Sequence, residues 1–309
     1  MTTLTPQQKT PEPVTPQQMT PEQIQAIPDQ DGGPGEGRRR PWVFYTLLGL
    51  LTVIFIAPLF YMASTSFKTP EDAISTVPQW FPAHPTLQAY ERVLNDPSTP
   101  VGRWFLNSMV AATANALLAV STATLAGYSL ARIPFKGRKV LLVLIISTLF
   151  LPPVVLLIPN YLTLNYIGWL DTLLAVIVPG AAGAFGVFFM RQFFVGLPKE
   201  LEESAFLDGA SRWQTFYKIL LPLARPAIAT LLLLTFLTNW NDFLWPIYTL
   251  FSPEQQTLPA GLSTLQSANS VRYDLLMAGA MISAVPVLII YAFTQRFIVE
   301  GIASAGMKE

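Results

Sequence analysis

The sequence of 309 residues contains no cysteine and only one histidine. Without thiols, the chain has no disulfide framework, thiolate zinc site, iron–sulfur cluster or cysteine nucleophile. A single imidazole gives little scope for histidine-based metal or proton chemistry. Charged residues make up 12% of the chain, against about 25% in ordinary soluble domains. This scarcity of charge, together with a mean hydropathy of +0.42, excludes a soluble nucleic-acid-binding protein and most cytosolic enzymes and leaves a polytopic membrane protein. Its apolar runs are continuous and lack the alternation of a β-barrel, so we predict an all-α fold.

The first 40 residues differ in composition from the rest of the chain. They contain seven proline and seven glutamine residues and end in the basic cluster Arg38–Arg40. They hold too few large apolar residues to form a core, so we predict a disordered tail, 1–40, ahead of a membrane domain, 41–309. No apolar stretch lies near Met1, so the tail is not a signal peptide. We interpret it as a solvated extension, with a partner-binding arm as the alternative.

Long stretches without charge follow the tail. A helix that crosses the hydrocarbon core of a bilayer needs roughly 20 mostly apolar residues, and six helical spans of about this length can be placed. Proline should bend or break three of them, at Pro152, Pro153 and Pro159 in the third, at Pro179 in the fourth and at Pro286 in the sixth. The predicted spans lie near 42–65, 105–131, 140–163, 172–194, 224–250 and 275–297.

The basic residues predict the orientation of these spans. With the tail placed inside, the segments on its side of the membrane hold 15 of the 19 Lys and Arg residues, and the opposite segments hold four. The positive-inside rule therefore predicts that both termini are cytoplasmic. The outer loops then comprise about 66–104 and 251–274, and Trp104, at the end of one of them, is predicted to anchor the chain at the membrane interface.

The predicted cytoplasmic loop 197–222 carries the most informative pattern. Pro198 suits the first turn of a helix, and three glutamates follow it near the positive end of the helix dipole. Gly209 is expected to end this helix, and a second helix, about Ser211 to Leu220, leads to Pro222 and the fifth span. A short helix–glycine–helix element with small residues at its tip predicts a knob that fits a groove on another protein.

The spacing within this loop resembles the EAA loop of ATP-binding-cassette (ABC) importer permeases. It begins at 203–205, where Ser204 alone departs from the family's Glu-Ala-Ala, and reaches glycine after three further residues. After nine intervening residues comes the Ile-x-Leu-Pro ending, 219–222. The resemblance implies that the ATPase-coupling element consists of Glu203, Ser204, Ala205, Asp208, Gly209, Ile219, Leu221 and Pro222.

Other motifs are similar to the carbohydrate-uptake subfamily. Together with six spans, they resemble the smaller, second permease of maltose-type systems, and this implies the type I importer permease fold over about residues 42–309. The first 40 residues lie outside the resemblance. The motifs are Phe105–Ser108, Ala126–Arg132, Phe135–Arg138, Ile158–Tyr161, Arg191–Phe194, Asp208–Ser211, Trp240–Asp242 and Gln295–Gly306.

The resemblance also implies partners and a location. The chain would lie in the cell membrane of a prokaryote beside a second, non-identical permease, receive two copies of a cytoplasmic ATPase and accept solute from an extracytoplasmic binding protein. The sequence has no Gly-Lys-Ser or Gly-Lys-Thr, so it contains no P-loop, and ATP with its Mg²⁺ would be used by the ATPase. The chain itself would bind no cofactor and would not be an enzyme.

A polar group ends the aliphatic run of the fifth span. Asp242 lies about 22 Å along the helix from Ala227, at about 1.5 Å per residue, in the outer part of the membrane. An ionisable group there is costly unless it is paired or faces water. Amide, carboxylate and indole groups also suit a sugar, although a helix cap with an interface tryptophan would look the same. The candidate solute-path residues are Asn239, Trp240, Asn241 and Asp242.

Other functions remain open at this stage. A permease for glycerol-phosphate or a polyol would share the motifs. A secondary transporter would show a doubled hydropathy pattern and charges near the bilayer midplane, neither of which is present. An intramembrane enzyme would need a nucleophile–base pair or a set of metal ligands, and the one histidine, His84, lies in a predicted outer loop without such companions.

Overall fold

The computed structural model describes residues 41–306 apart from residues 76, 78, 98, 268 and 269. The predicted disordered tail, 1–40, therefore lies outside the described residues. The chain divides into two compact units, 1–58 and 59–309. The first helix, Pro41–Ser66, is uncharged and almost wholly apolar up to its last turn, and the apolar side chains of residues 42–56 are exposed, as expected for a helix surrounded by lipid or by another protein.

The second span, Val101–Arg132, packs against the fourth and fifth spans. Its buried face consists largely of small residues, which let neighbouring backbones approach closely. A Cβ atom at Gly127 would lie 2.8 Å from both the Cβ of Met190 and the backbone nitrogen of Arg191. Glycine is therefore required at 127 for the second and fourth spans to meet.

The third span breaks at Pro152 and Pro153, as the sequence predicts, and the fourth bends at Gly183, four residues after Pro179. In the third span, the helical stretches Arg138–Phe150 and Pro153–Tyr166 meet at 100°. In the fourth, Leu174–Ala182 and Ala184–Gly196 meet at 42°. Pro286 does not break the sixth helix, Tyr273–Gly306, which continues through it.

Three described helices are long and apolar enough to cross a membrane, and the number rises to six if each bent pair is one span. This agrees with the six predicted spans. The third bent pair joins Arg212–Leu223 to the fifth span, Arg225–Trp240, at 71°.

The connecting elements are short. Two antiparallel strands of two residues each form a hairpin, in which Gln266 lies opposite Val271. The shorter helical elements, including the segments of the broken spans, are Pro70–Ala73, Gln88–Asn95, Arg138–Ser147, Thr148–Phe150, Pro153–Leu156, Leu157–Tyr166, Leu174–Ile177, Pro179–Ala182, Glu200–Leu207, Arg212–Thr215, Phe216–Leu220, Leu221–Leu223, Leu244–Thr249, Pro253–Gln255 and Leu258–Ser263, and the strands are Gln266–Ser267 and Ser270–Val271.

Trp104 belongs to a buried cluster and is not an interface anchor. Only 1% of its surface is exposed, it packs in a core with Leu258 and Ala112, and its indole nitrogen donates a hydrogen bond of 2.6 Å to the carbonyl of Pro253. The prediction is wrong because the loop after the fifth span folds back over the start of the second span and covers the ring.

Candidate functional site

The first helix of the predicted coupling loop runs from Glu200 to Leu207. Gly209 follows with φ of +78°, and the amide of Ala210 donates to the carbonyl of Ala205 over 2.9 Å. This is the helix-ending arrangement in which a left-handed residue is favoured, and glycine adopts it without strain. The turn predicted at Gly209 is present.

The second helix is longer than predicted. Ser211 and Gln214 form a reciprocal capping box at its start, and the helix continues through a wide π-helical turn, Phe216–Leu220, to Leu223. Pro222 was expected to follow the helix, but it lies within it. The bend comes one residue after Leu223, and the fifth span begins directly.

The motif residues divide into an exposed and a covered group. Glu203, Ser204 and Asp208 are exposed, whereas Ala205 is buried within the chain. At the tip of the helix, Leu207 exposes 89% of its surface. Ile219, Leu221 and Pro222 are half-buried in the second helix. The surface available to a partner is therefore an apolar tip beside two carboxylates.

Sequence reasoning missed an ion pair on the covered face of this helix. The Nε of Arg132, at the end of the second span, lies 2.9 Å from a carboxylate oxygen of Glu202, and the two side chains expose 6% and 11% of their surface. Helical spacing places Glu202 on the same face as the small Ala205. That spacing is the signal that could have separated Glu202 from its exposed neighbour Glu203.

Arg132 also fastens the end of the fourth span. Its Nη2 donates to the carbonyl of Phe194 over 2.7 Å and to that of Leu197 over 2.5 Å. Carbonyls at a helix C-terminus lack partners within the helix, so an arginine fork can satisfy them. One buried side chain thus joins the second span, the fourth span and the coupling helix.

A cavity of about 760 Å³ lies between the second, third, fourth and fifth spans. This volume is within the range of small-molecule sites. Its wall is mainly aliphatic, and Asp242 is the one ionisable side chain among the described residues that line it. The other polar side chains of the wall are Asn115, Asn160, Thr235, Thr238, Asn239 and Trp245.

The four candidate solute-path residues do not share one environment. Asn239, in the last turn of the fifth span, and Asp242, just after the end of that helix, both line the cavity. Trp240 exposes 1% of its surface, packs against Phe236 and points away from the cavity wall. Asn241 is exposed and donates to the carbonyl of Leu237 in its own helix, outside the cavity.

Asp171 joins two loops at the membrane end opposite to the coupling helix. Its carboxylate accepts hydrogen bonds from the amide of Phe251 over 2.8 Å, from the amide of Ser252 over 2.9 Å and from the Ser252 hydroxyl. Desolvation raises the pKa of Asp171, but the bonds from Ser252 and Phe251 outweigh it, so the pKa lies below its ordinary value. Its φ of +58° is one that aspartate tolerates.

A bundle of bent helices around a cavity, with a helix–glycine–helix knob at one end, defines a membrane-embedded transport permease. Residues 123–303 match the family model described as "binding-protein-dependent transport system inner membrane component", and the chain belongs to this family. It is a permease of the ABC importer class, whose members work with an ATPase and a solute-binding protein.

Curated relatives cover nearly the whole chain. The arabinooligosaccharides transport system permease protein AraQ of Bacillus subtilis is 32% identical over 84% of this chain and 92% of its own length. The diacetylchitobiose uptake system permease protein NgcG of Streptomyces coelicolor is 30% identical over 88% and 90%. The trehalose/maltose transport system permease protein MalG of Thermococcus litoralis is 30% identical over 84% and 94%.

A solved structure shows the same fold. It is a chain of a bacterial ABC transporter involved in the import of the acidic polysaccharide alginate, and it matches with a TM-score of 0.73 and 24% identity over 83% of this chain and 95% of that one. The predicted fold class, an ABC importer permease, is therefore confirmed.

Proposed function

We propose that this chain is one of two non-identical permease subunits of a prokaryotic sugar importer, and that it couples to two copies of a cytoplasmic ATPase through the helix Glu200–Leu207. The names of the relatives, which concern arabinooligosaccharides, diacetylchitobiose and trehalose or maltose, support a carbohydrate as the solute. The ATPase uses ATP and Mg²⁺, and this chain binds neither.

The arrangement of the coupling helix is the observation that carries the proposal. One face is fastened to the membrane spans by Arg132 and Glu202, and the other presents the exposed side chain of Leu207. An apolar side chain on a rigid base can enter a groove and transmit a displacement, whereas a helix on a loose loop would only follow the groove. Glu203 and Asp208 are placed to pair with basic residues of the ATPase.

Two routes lead from this helix into the membrane. Arg132 connects it to the second and fourth spans, and the helix Arg212–Leu223 continues at the bend into the fifth span. These spans form three of the cavity walls. Closure of the ATPase would therefore move the cavity walls between two packed arrangements, as alternating access requires.

The cavity favours a neutral solute. Its one ionisable lining residue, within the described part of the chain, is the carboxylate Asp242, which would repel an anion at membrane depth. Hydroxyl groups can instead donate to a carboxylate and to side-chain oxygens. A sugar fits this wall better than glycerol-phosphate does.

The orientation completes the proposal. The excess of basic residues on one side supports cytoplasmic N- and C-termini. The helix Glu200–Leu207 then lies where an ATPase can reach it, and the loop fastened by Asp171 faces the solute-binding protein.

Reconstitution of the complete importer tests the proposal. The cognate binding protein is first screened by thermal shift against neutral sugars, polyols and glycerol-phosphate, and the importer is then assembled in proteoliposomes. We expect a neutral sugar to stimulate ATP hydrolysis and Leu207→Asp to abolish this stimulation, whereas Phe135→Asp, an exposed apolar position in the preceding loop at the same end, retains it. Uptake that collapses with a proton or sodium uncoupler at constant ATP, or normal coupling in Leu207→Asp, contradicts the proposal.

A further inference from the structure

The α-helix at the start of the fourth span, Leu174–Ile177, ends ahead of Pro179, where a backbone donor is missing. Pro179 has no N–H group, so the carbonyl of Ala175, four residues earlier, receives no helical hydrogen bond from it. The following turn is tighter than an α-helix, and the amide of Ala181 bonds to the carbonyl of Val178 over 3.0 Å. The carbonyl of Ile177 therefore also loses its usual helical partner. Within a membrane, such groups must be satisfied by other parts of the protein.

Three side chains from other helices donate to carbonyls in this part of the fourth span. The indole nitrogen of Trp245 donates to the carbonyl of Ala175 over 2.8 Å. The amide of Asn239 donates to the carbonyl of Val176 over 3.1 Å. The amide of Asn115 donates to the carbonyl of Ile177 over 2.6 Å. Three consecutive carbonyls ahead of the proline thus bind three side chains from other helices. The sequence positions of the three donors are 115, 239 and 245.

The donors lie on the second span, on the fifth span and on the short helix after it. Asn115 is buried near the middle of the second span, and Asn239 is in the last turn of the fifth span. Trp245 is on the short helix Leu244–Thr249 that follows it. The fit at Asn115 is close, because a Cβ atom on Gly180 would lie 2.8 Å from its amide nitrogen. Gly180 leaves the space that this amide fills.

All three donors line the cavity. Their N–H groups are engaged by the fourth span in this arrangement, so at least one donor of each residue is not available to a solute. Asn239, a candidate solute-path residue, therefore bonds to the protein backbone in this structure. A polar side chain inside a membrane bundle is costly unless it has a partner, and the broken helix supplies that partner here.

We propose that Asn115, Asn239 and Trp245 are positioning residues that fasten the outer half of the fourth span, Leu174–Ala182, to the second and fifth spans. The inner half, Ala184–Gly196, is fastened separately by Arg132. Movement of the fifth span then reaches the cavity wall through Asn239 and Trp245, and the bend at Gly183 lets the two halves of the fourth span move apart. The transmission of movement from the fifth span rests on the importer function proposed above. The attachment of Leu174–Ala182 by the three side chains does not.

Hydrogen–deuterium exchange of the assembled complex in nanodiscs tests the fastening. Trp245→Phe keeps an aromatic ring and removes the donor. We expect amides of 174–182 to exchange roughly five- to tenfold faster, as the loss of one hydrogen bond predicts, while those of 184–196 are unchanged. Asn239→Leu should act on the same segment. Trp169→Phe, a nearby tryptophan outside the cavity wall, is the control and should change neither segment.

Restoring the backbone donor gives a specific rescue. Pro179→Ala supplies an N–H group that can bond to the carbonyl of Ala175, so Trp245→Phe in this background should change exchange by less than twofold.

In transport assays, Trp245→Phe should raise the ATP hydrolysed per solute at least threefold, and Pro179→Ala should reduce that increase. Equal effects of Trp245→Phe in both backgrounds, or unchanged exchange in 174–182, overturn the proposal. Because exchange needs no solute, it decides the matter even if the sugar-importer function fails.

Discussion

The two ends of the fourth span are held by charged side chains of opposite sign. At the coupling end, Arg132 donates to Phe194 and Leu197 and pairs with Glu202. At the opposite end, Asp171 accepts hydrogen bonds from Phe251 and Ser252. Both residues connect elements that are distant in sequence through backbone groups.

The difference between the ends lies in burial and charge pairing. Arg132 and Glu202 are almost completely buried, where loss of either partner leaves an uncompensated charge. Asp171 is partly exposed, and water can replace some of its bonds. A connection that transmits force needs a single arrangement, whereas a loop that meets a solute-binding protein can tolerate some movement. The comparison predicts that variants at the coupling end have larger effects.

Arg132→Ala should have the largest effect. It leaves Glu202 buried without a cation, and we expect the free energy of unfolding to fall by about 3–5 kcal/mol, with transport at least tenfold lower. Thermal unfolding and sugar-stimulated ATP hydrolysis of the reconstituted importer measure both. A wild-type unfolding temperature would show that the pair is not buried in the assembled complex.

A double variant separates the effect of the buried ion pair from the effect of the hydrogen bonds that Arg132 donates to the fourth span. Arg132→Met with Glu202→Leu removes both charges, so stability should largely recover. Coupling should not recover, because the carbonyls of Phe194 and Leu197 still lack their donor. Full recovery of transport would mean that Arg132 serves only to neutralise Glu202.

Gly209→Val should have an intermediate effect that is confined to coupling. A β-branched residue at φ of +78° strains the backbone by about 1–2 kcal/mol and displaces the exposed tip. Gly137→Val is the matched control, because Gly137 has φ of +85°, open space around its Cα and a place in the loop between the second and third spans. We expect similar stability in both variants and at least tenfold lower sugar-stimulated ATP hydrolysis only in Gly209→Val. Equal sugar-stimulated ATP hydrolysis in the two variants would show that the turn at Gly209 is not needed for coupling.

The coupling element could be predicted from the sequence because its requirements are local. The turn at Gly209, the helix before it and the helix that begins near Ser211 each depend on a few neighbouring residues. Charge-free stretches likewise indicated six spans, and Pro152 and Pro153 indicated where the third of them breaks.

The contacts between distant residues could not be predicted in the same way. Arg132 and Glu202 are 70 residues apart. The spacing to Ala205 could single out Glu202 among the three glutamates, but neither segment specifies Arg132 as its partner. Trp104 and Trp240 looked like interface or solute residues, since an isolated indole does not show whether a later loop covers it. Asn239 was identified as polar and important, but its partner, the carbonyl of Val176, depends on a break in another span.

Asp171→Asn should have the smallest effect and should test the exposed end of the comparison. The folded pKa of Asp171 is below its ordinary value, so the carboxylate contributes stability above about pH 4 and loses it as the pH falls through the folded pKa. We expect Asp171→Asn to lower stability at pH 7 by about 1 kcal/mol or less, and this difference should shrink as the pH drops below about 4. Glu91→Gln, on an exposed helix at the same end, is the control. A loss as large as that of Arg132→Ala would contradict the ranking, because it would mean that the binding-protein side is held as rigidly as the coupling side.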